Sequence, residues 1–231
     1  MSSSSKRRSA ILQAATRLFE HYGHGKTTIA DVAREARVGV GTVYLEFESK
    51  EAIVQALSRS THIEVLEAMR VASEKSDEDY ATRLAAVLRT RTSCFIELRK
   101  RGQHACELLH CNAEGVRAAH QSFREQEKSL LAQVVGDGQR AGVFAACDPG
   151  SMAALIQRAY ASLSPPWIFG SDDDAMRASN DLCQLLLNGL LAAKDPLALA
   201  PSSTRQSRSA SAPGASRQEQ TSSARKPRRG R

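Results

Sequence analysis

Residues 27–50 gather side chains suited to gripping a polyanion. Thr27 and Thr28 precede an apolar-periodic run, and Tyr44 and Lys50 follow it. Free N–H groups and the dipole at a helix start favour an anion. A phenol and an ammonium are further phosphate donors. Between these flanks, Val40, Gly41 and Thr42 are small, and Leu45 follows Tyr44. Small side chains keep a helix slim enough to approach base edges in a major groove. The chemistry implied is non-covalent contact with double-stranded DNA, with Thr27, Thr28, Tyr44 and Lys50 on phosphates and Thr42 and its neighbours on bases.

Other reactive residues form no comparable pattern. His104, Cys106, His110 and Cys111 are close in sequence, and Cys106 and His110 could share a helix face. A thiol- or metal-responsive site at 104–111 is therefore an alternative, although no C-x-x-C pair or regular ligand spacing accompanies it and no metal is expected. The five cysteines (Cys94, Cys106, Cys111, Cys147, Cys183) are irregularly spaced and read as free thiols in a reducing compartment. No nucleophile elbow, phosphate loop, HExxH or paired-carboxylate arrangement occurs, so neither an enzyme nor a cofactor is expected. The run Asp172–Asp174 reads as a charged loop meeting a helix N-terminus.

Short helices must position the DNA-facing groups. The first is expected over 9–21, with Ile11, Ala14, Ala15, Leu18 and Phe19 on one face and Gly23 and Gly25 ending it. Thr28-Ile29-Ala30-Asp31 has the spacing of a capping box and starts a second helix, whose buried stripe is Ile29, Val32, Ala33 and Ala36. After the turn Arg37-Val38-Gly39, a third helix spans about 40–47 with Val43 and Phe47 inward. Ser49 caps a fourth. Longer helices are expected near 50–73, 77–101, 103–111, 114–141, 149–163 and 174–193, with Asp148-Pro149 starting one of them.

Composition agrees. Apolar residues make up 42% and aromatics 5%, which favours a helical Ala/Leu core over a β-sandwich. The net charge of +7 resides in residues 201–231, which hold eight basic side chains and one acid. Residues 1–50 carry an excess of three positive charges and residues 51–200 an excess of three negative ones, so the basic head suits a polyanion. No apolar run is long enough to cross a bilayer and no signal-peptide pattern opens the chain, so a soluble, cytoplasmic protein with no membrane partner is expected. The fold class is all-α. A disordered arm is expected over 1–8, a helix-turn-helix domain over 9–55, a ligand-binding and dimerisation domain over 56–195, and a disordered basic tail over 196–231, which lacks the apolar residues to offset ordering. That tail would add weak, sequence-blind DNA affinity.

The stretch from about Ile11 to Leu57 resembles the tetracycline-repressor-like (TetR) family of bacterial regulators. The resemblance rests on Leu18-Phe19, Gly23, Thr27-Thr28-Ile29-Ala30-Asp31-Val32-Ala33, Val38, Gly41-Thr42-Val43-Tyr44, Phe47 and Ser49-Lys50-Glu51-Ala52. It implies an all-α fold with a larger C-terminal domain that dimerises and holds an effector pocket. It implies phosphate contacts from Thr28, Tyr44 and Lys50, and base contacts around Thr42. Three positions depart from the family pattern: Arg37 where the turn usually has Gly, Gly39 for the usual Ser cap, and Leu45 where His is frequent.

The reading is a sequence-specific regulator that binds DNA as a homodimer. By family default it is a repressor that a small-molecule effector releases from a palindromic operator; an activator is the alternative. Pocket candidates are Cys94, Phe95, Leu98, Phe123, Tyr160 and Trp167. Two apolar stripes, Leu155-Ile156-Ala159-Leu163 and Leu182-Leu185-Leu186-Gly189-Leu190, suit a four-helix interface between two copies.

Overall fold

Side-chain caps set most of the helix starts. Thr28, Ser49, Asp79, Asp148 and Ser171 each accept the backbone N–H three residues on, satisfying a donor that the helix cannot. In the computed structural model they precede α2 (Ile29–Glu35), α4 (Lys50–Ser73), α5 (Tyr80–Arg101), α8 (Pro149–Ala159) and α9 (Asp172–Leu190). The remaining helices are α1 (Ser3–Tyr22), α3 (Val40–Glu46), α6 (Glu107–His110) and α7 (Glu114–Arg140), with a 3-10 turn at Tyr160–Leu163. The structure describes residues 3–74, 79–110, 113–165 and 170–191, all within one compact unit spanning 1–194. The expected basic tail, 196–231, lies outside the described residues.

The differences from expectation are local. Residues 3–8, read from their polarity as a disordered arm, are the first turns of α1. Tertiary contacts supply what polarity did not announce. The Ser4 hydroxyl donates to the Glu46 carboxylate at 3.0 Å, and Arg8 donates to the Glu46 carbonyl at 2.6 Å while lying 4.0 Å over the Phe47 ring. The segment near 103–111 contributes only the four-residue α6. The one near 149–163 tightens into the 3-10 turn, and α9 begins at Asp172 because Ser171 caps it.

Two apolar cores organise the helices. The head core holds Ile11, Ala15 and Phe19 of α1, Val32 and Ala33 of α2, Val43 of α3, Phe47, and Ile53, Val54 and Leu57 of α4, together with Leu108 of α6 and Val116 of α7. The bundle core joins the rest of α4 to α5, α7, α8 and α9 through Met69, Leu88, Phe95, Leu98, Phe123 and Tyr160, among others. The apolar stripes on α8 and α9 divide: Ile156, Leu163 and Leu190 face inward, whereas Leu155 is 56% exposed and Leu185 70%.

Charge is also buried in the bundle. Arg91 of α5 and Glu127 of α7 are almost fully enclosed and pair at 2.5 Å. Gln157 donates to the second Glu127 oxygen at 2.7 Å, and Arg91 reaches Ser164 Oγ at 2.8 Å. His62, buried on α4, has its pKa pushed down to about 4 by burial and by the neighbouring His120, with the Ser58 carbonyl opposing. The neutral imidazole favours the fold fully above the ordinary histidine range, and that contribution is lost as pH falls toward 4.

The α2–α3 turn is a Schellman-type cap. Val38 N–H bonds to the Ala33 carbonyl and Arg37 N–H to that of Arg34, at 3.0 and 3.2 Å. Arg37 occupies the left-handed position, with φ +57°, where glycine is usual.

Two stability measurements follow, each by urea unfolding. Arg37→Gly relieves about 1–2 kcal/mol of left-handed strain and gives part of it back through a freer unfolded chain, so a net gain of about 0.5–1 kcal/mol is expected; no gain would mean that the exposed Arg37 has compensating contacts. Glu127→Ala leaves a buried guanidinium without its counter-charge and costs about 3–5 kcal/mol. Arg91→Met combined with Glu127→Met should lose less than Glu127→Ala, and an equal or greater loss would mean that the network's neutral bonds outweigh the charge pair.

Candidate nucleic-acid interface

The head presents one face of α3. Val43 is fully buried and Phe47, its C-cap, nearly so, which fixes the helix against α1 and α4. The opposite face carries Val40, Gly41, Tyr44 and Leu45, spaced so that they share one side of the helix. Val40 is 43% exposed, Tyr44 53% and Leu45 86%, and a Cβ at Gly41 would meet nothing within 4 Å. Thr42 is half-buried at the edge of this face. Gly39 caps the helix without a side-chain bond, so the first N–H groups of α3 are not covered by their own cap.

The flanking residues have unequal geometries. Thr28 is exposed and forms the full capping box: its hydroxyl accepts from Asp31 N–H at 3.2 Å and donates to Asp31 Oδ2 at 2.6 Å, and Thr28 N–H donates to the same carboxylate at 3.0 Å. These bonds, chiefly that from the Thr28 hydroxyl, hold the Asp31 carboxyl below its usual range. Thr27, expected beside Thr28 as a phosphate donor, is turned inward. It is buried, and its hydroxyl donates to the Gly23 carbonyl at 3.0 Å, closing the end of α1. Lys50, at the start of α4, donates to the carbonyls of His24 and Thr27 at 2.9 and 3.3 Å. Its ammonium thus braces the loop before α2 and keeps one further donor.

Sequence reasoning missed two groups around this face. Arg8 donates to the carbonyl of Glu46, the last residue of α3, a contact between residues 38 apart in the chain with no local signal. The loop before α2 is also held from the bundle side. Glu107 of α6 contacts His24 at 3.3 Å through one carboxylate oxygen and His104 at 2.6 Å through the other. The peptide N–H of His104 donates to the Glu20 carbonyl, at the end of α1, at 3.0 Å.

The other candidates are scattered. Phe95, Leu98, Phe123 and Tyr160 lie in the bundle core. Cys94 and Leu98 also line a cleft of about 310 Å³ between α4 and α5, with Thr61, Val65, Arg89 and Arg101. Trp167 and Cys111 lie outside the described residues. Burial pushes the Cys94 and Cys106 thiols up, opposed by Arg101 and Arg99 respectively, so both favour the unreactive protonated form. His110 is exposed, and among the described residues no group of three His, Cys, Asp or Glu side chains is placed to hold a metal ion. No helix among them is long and apolar enough to cross a membrane.

The family profile "Bacterial regulatory proteins, tetR family" matches residues 11–57, the segment that builds this face. An uncharacterized HTH-type transcriptional regulator of Bacillus subtilis, YhgD, is 30% identical over 167 residues, covering 70% of this chain and 84% of its own length. A tetR-family regulator from Mesorhizobium loti, solved as a crystal structure, superposes with a TM-score of 0.67 at 18% identity, over 83% of this chain and all of that one. The transcriptional regulator FadR of Bacillus subtilis, solved in complex with stearoyl-CoA, gives a TM-score of 0.61 at 18% identity, over 78% of this chain and 98% of that one. The structures support the all-helical fold, and the relative matched along most of its length joins the head to the bundle: this chain belongs to the tetR family of bacterial transcriptional regulators, which act by binding DNA rather than by catalysis.

Proposed function

We propose that the protein is a homodimeric, operator-specific repressor, acting in the cytoplasm and released from a palindromic site by a small-molecule effector. The observation that carries this reading is the outward face of α3, where Val40, Gly41, Tyr44 and Leu45 stand exposed on a helix braced from behind. Thr42 at the edge of that face reads a base, and Leu45 offers an apolar contact where a polar one is frequent in the family. Apolar contact suits a thymine methyl. Tyr44 and Lys50 grip phosphates, and Thr28 does so through the helix start it caps. Thr27 contributes by shaping the loop, since its hydroxyl is spent on Gly23.

Dimerisation is supported by Leu155 on α8 and Leu185 on α9, large apolar side chains that one subunit leaves exposed. Pairing α8 and α9 with their copies would cover them in a four-helix contact. The effector reading is supported by the likeness of the bundle to the FadR fold, whose solved structure holds stearoyl-CoA. The cleft beside Cys94 and Leu98, and the core around Phe95, Phe123 and Tyr160, are the places to look for it. Two heads on a symmetric dimer meet half-sites one helical turn apart, about 34–36 Å. An effector that prefers a different head spacing shifts the population away from that match.

Footprinting of the full chain on DNA upstream of its own coding region, at fixed salt, tests the reading. A protected, near-palindromic site is expected; only diffuse, strongly salt-sensitive binding would sink operator specificity there. On the protected site, Lys50→Met should reduce the slope of log affinity against log salt by about 0.9. Because Lys50 also holds two loop carbonyls, the same variant should melt earlier. Tyr44→Phe should weaken binding by roughly two- to tenfold with the salt slope intact, since only a neutral hydrogen bond is lost. An unchanged slope in Lys50→Met would assign that lysine a bracing role alone.

A further inference from the structure

Arg37 stands outside the pairs that engage most basic side chains of the head. The carboxylates of α2 and α3 are taken. Asp31 holds Thr28 and Arg34, Glu35 pairs with Arg17 at 2.9 Å, and Glu46 accepts from Ser4 and lies 3.6 Å from Arg7. Arg8 and Lys50 bond to backbone carbonyls. Arg37, in the turn between α2 and α3, is exposed, and its guanidinium meets no carboxylate or carbonyl among the described residues.

Its backbone is also held in an unfavourable conformation. At φ +57° a Cβ crowds the following carbonyl oxygen. The other positive φ angles among the described residues fall on Gly23, Gly142 and Gly170. The turn enforces the conformation, because the N–H groups of Arg37 and Val38 close on carbonyls of α2 and Val38 packs against the head core. Glycine would meet the same backbone demand without strain. A side chain kept there at a cost to the fold, exposed and unpaired, points to a use outside the fold.

We propose that Arg37 is a DNA contact, its guanidinium clamping a backbone phosphate at the border of the major groove that α3 enters. The proposal rests on the α3 face as the DNA-reading surface and is independent of dimerisation and effector release. Arg37 lies three residues before α3, so it flanks the face of Val40, Gly41, Tyr44 and Leu45 and does not stand on it. The surface between is low. A Cβ at Gly39 would meet only Thr42 Oγ1, at 3.8 Å, and one at Gly41 would meet nothing within 4 Å. A duplex seated on α3 therefore approaches the turn with no side chain in the way. The planar guanidinium presents paired N–H donors that match two phosphate oxygens. Being unpaired, it gives up no internal bond on binding, whereas Lys50 already serves two carbonyls.

Fluorescence anisotropy of the full chain over a range of salt tests the contact, on a labelled duplex of random sequence and on the footprinted site. Three variants separate charge from backbone. Arg37→Gly and Arg37→Asn suit the left-handed position and remove the charge, and Arg37→Lys keeps both charge and strain. The first two should each lower the slope of log affinity against log salt by about 0.9 for each head engaged, which is about an eightfold loss per head at about 0.1 M salt. Arg37→Lys should keep the wild-type slope. Arg37→Gly should lose this affinity while unfolding at higher urea, a combination that a purely structural role does not produce. Wild-type slopes on both duplexes in Arg37→Gly and Arg37→Asn would overturn the proposal. Weaker binding with the slope intact would overturn it too, by assigning the turn to the positioning of α3. A protected operator alongside unchanged slopes would strike this contact alone. A missing footprint would strike the operator reading and leave the random duplex to decide the role of Arg37.

Discussion

Leu108 of α6 and Val116 of α7 are buried in the same apolar cluster as the side chains that hold α1, α2 and α3 together. A three-helix head of this size buries too little surface to be stable in isolation, and it borrows the deficit from its neighbours. Each large aliphatic side chain moved out of water contributes about 1.5–3 kcal/mol, comparable to a substantial part of the stability of a small domain. The head therefore cannot shed α6 and α7 without exposing its own interior. Its orientation is a property of the bundle beneath it.

The polar bonds of the head are arranged around that constraint. Thr28 and Asp31 satisfy the start of α2, Thr27 closes the end of α1, and Lys50 ties the intervening loop to α4. Each of these groups spends hydrogen bonds inside the head, and what remains exposed is the apolar and small-residue face of α3. A face without charged side chains gains little from long-range attraction. On the proposed reading, its contacts depend on shape and on the close approach of backbone to base, while the surrounding cations and helix starts supply affinity. Division of labour between bracing and reading explains why a lysine counted from sequence as a phosphate donor is found bonded to two carbonyls.

What the sequence made legible was local. Caps act over three residues, so Thr28, Ser49 and Asp148 could be placed from spacing, and Arg37 stood out only as a departure from the glycine usual in the family's turn; the structure shows it to be left-handed. The stripe Ile11–Phe19 and the inward pair Val43 and Phe47 are set by helical periodicity. What escaped was decided across the chain. Residues 3–8 are polar and give no helical signal of their own, yet Glu46 and Phe47 hold them in register. Glu107 and His24 are 83 residues apart, and neither periodicity nor composition brings them together. Nothing local marks Arg91 and Glu127 as buried; the packing of α5 on α7 encloses them. The stripes on α8 and α9 were half legible, because amphipathic patterning identifies an apolar side without saying which of its residues a second helix of the same subunit covers.

The helix that connects these regions is α4. Its first turns bury Ile53, Val54 and Leu57 in the head, and its later turns bury Val65, Leu66 and Met69 in the bundle. Its 24 residues form one unbroken rod, about 36 Å long at 1.5 Å per residue. No glycine or proline interrupts the rod, so α4 has no built-in hinge between bundle and head. On the proposed reading, moving the equilibrium from one head spacing almost wholly to the other requires about 5.5 kcal/mol of differential ligand affinity. Tearing Leu108 and Val116 from the head core would consume most of that. The cheaper path keeps the head, α4, α6 and the start of α7 together as one body and lets it turn against α8 and α9. Glu107 lies within that body, touching His24 of the loop before α2 with one carboxylate oxygen and His104 with the other, so the loop and α6 are joined directly.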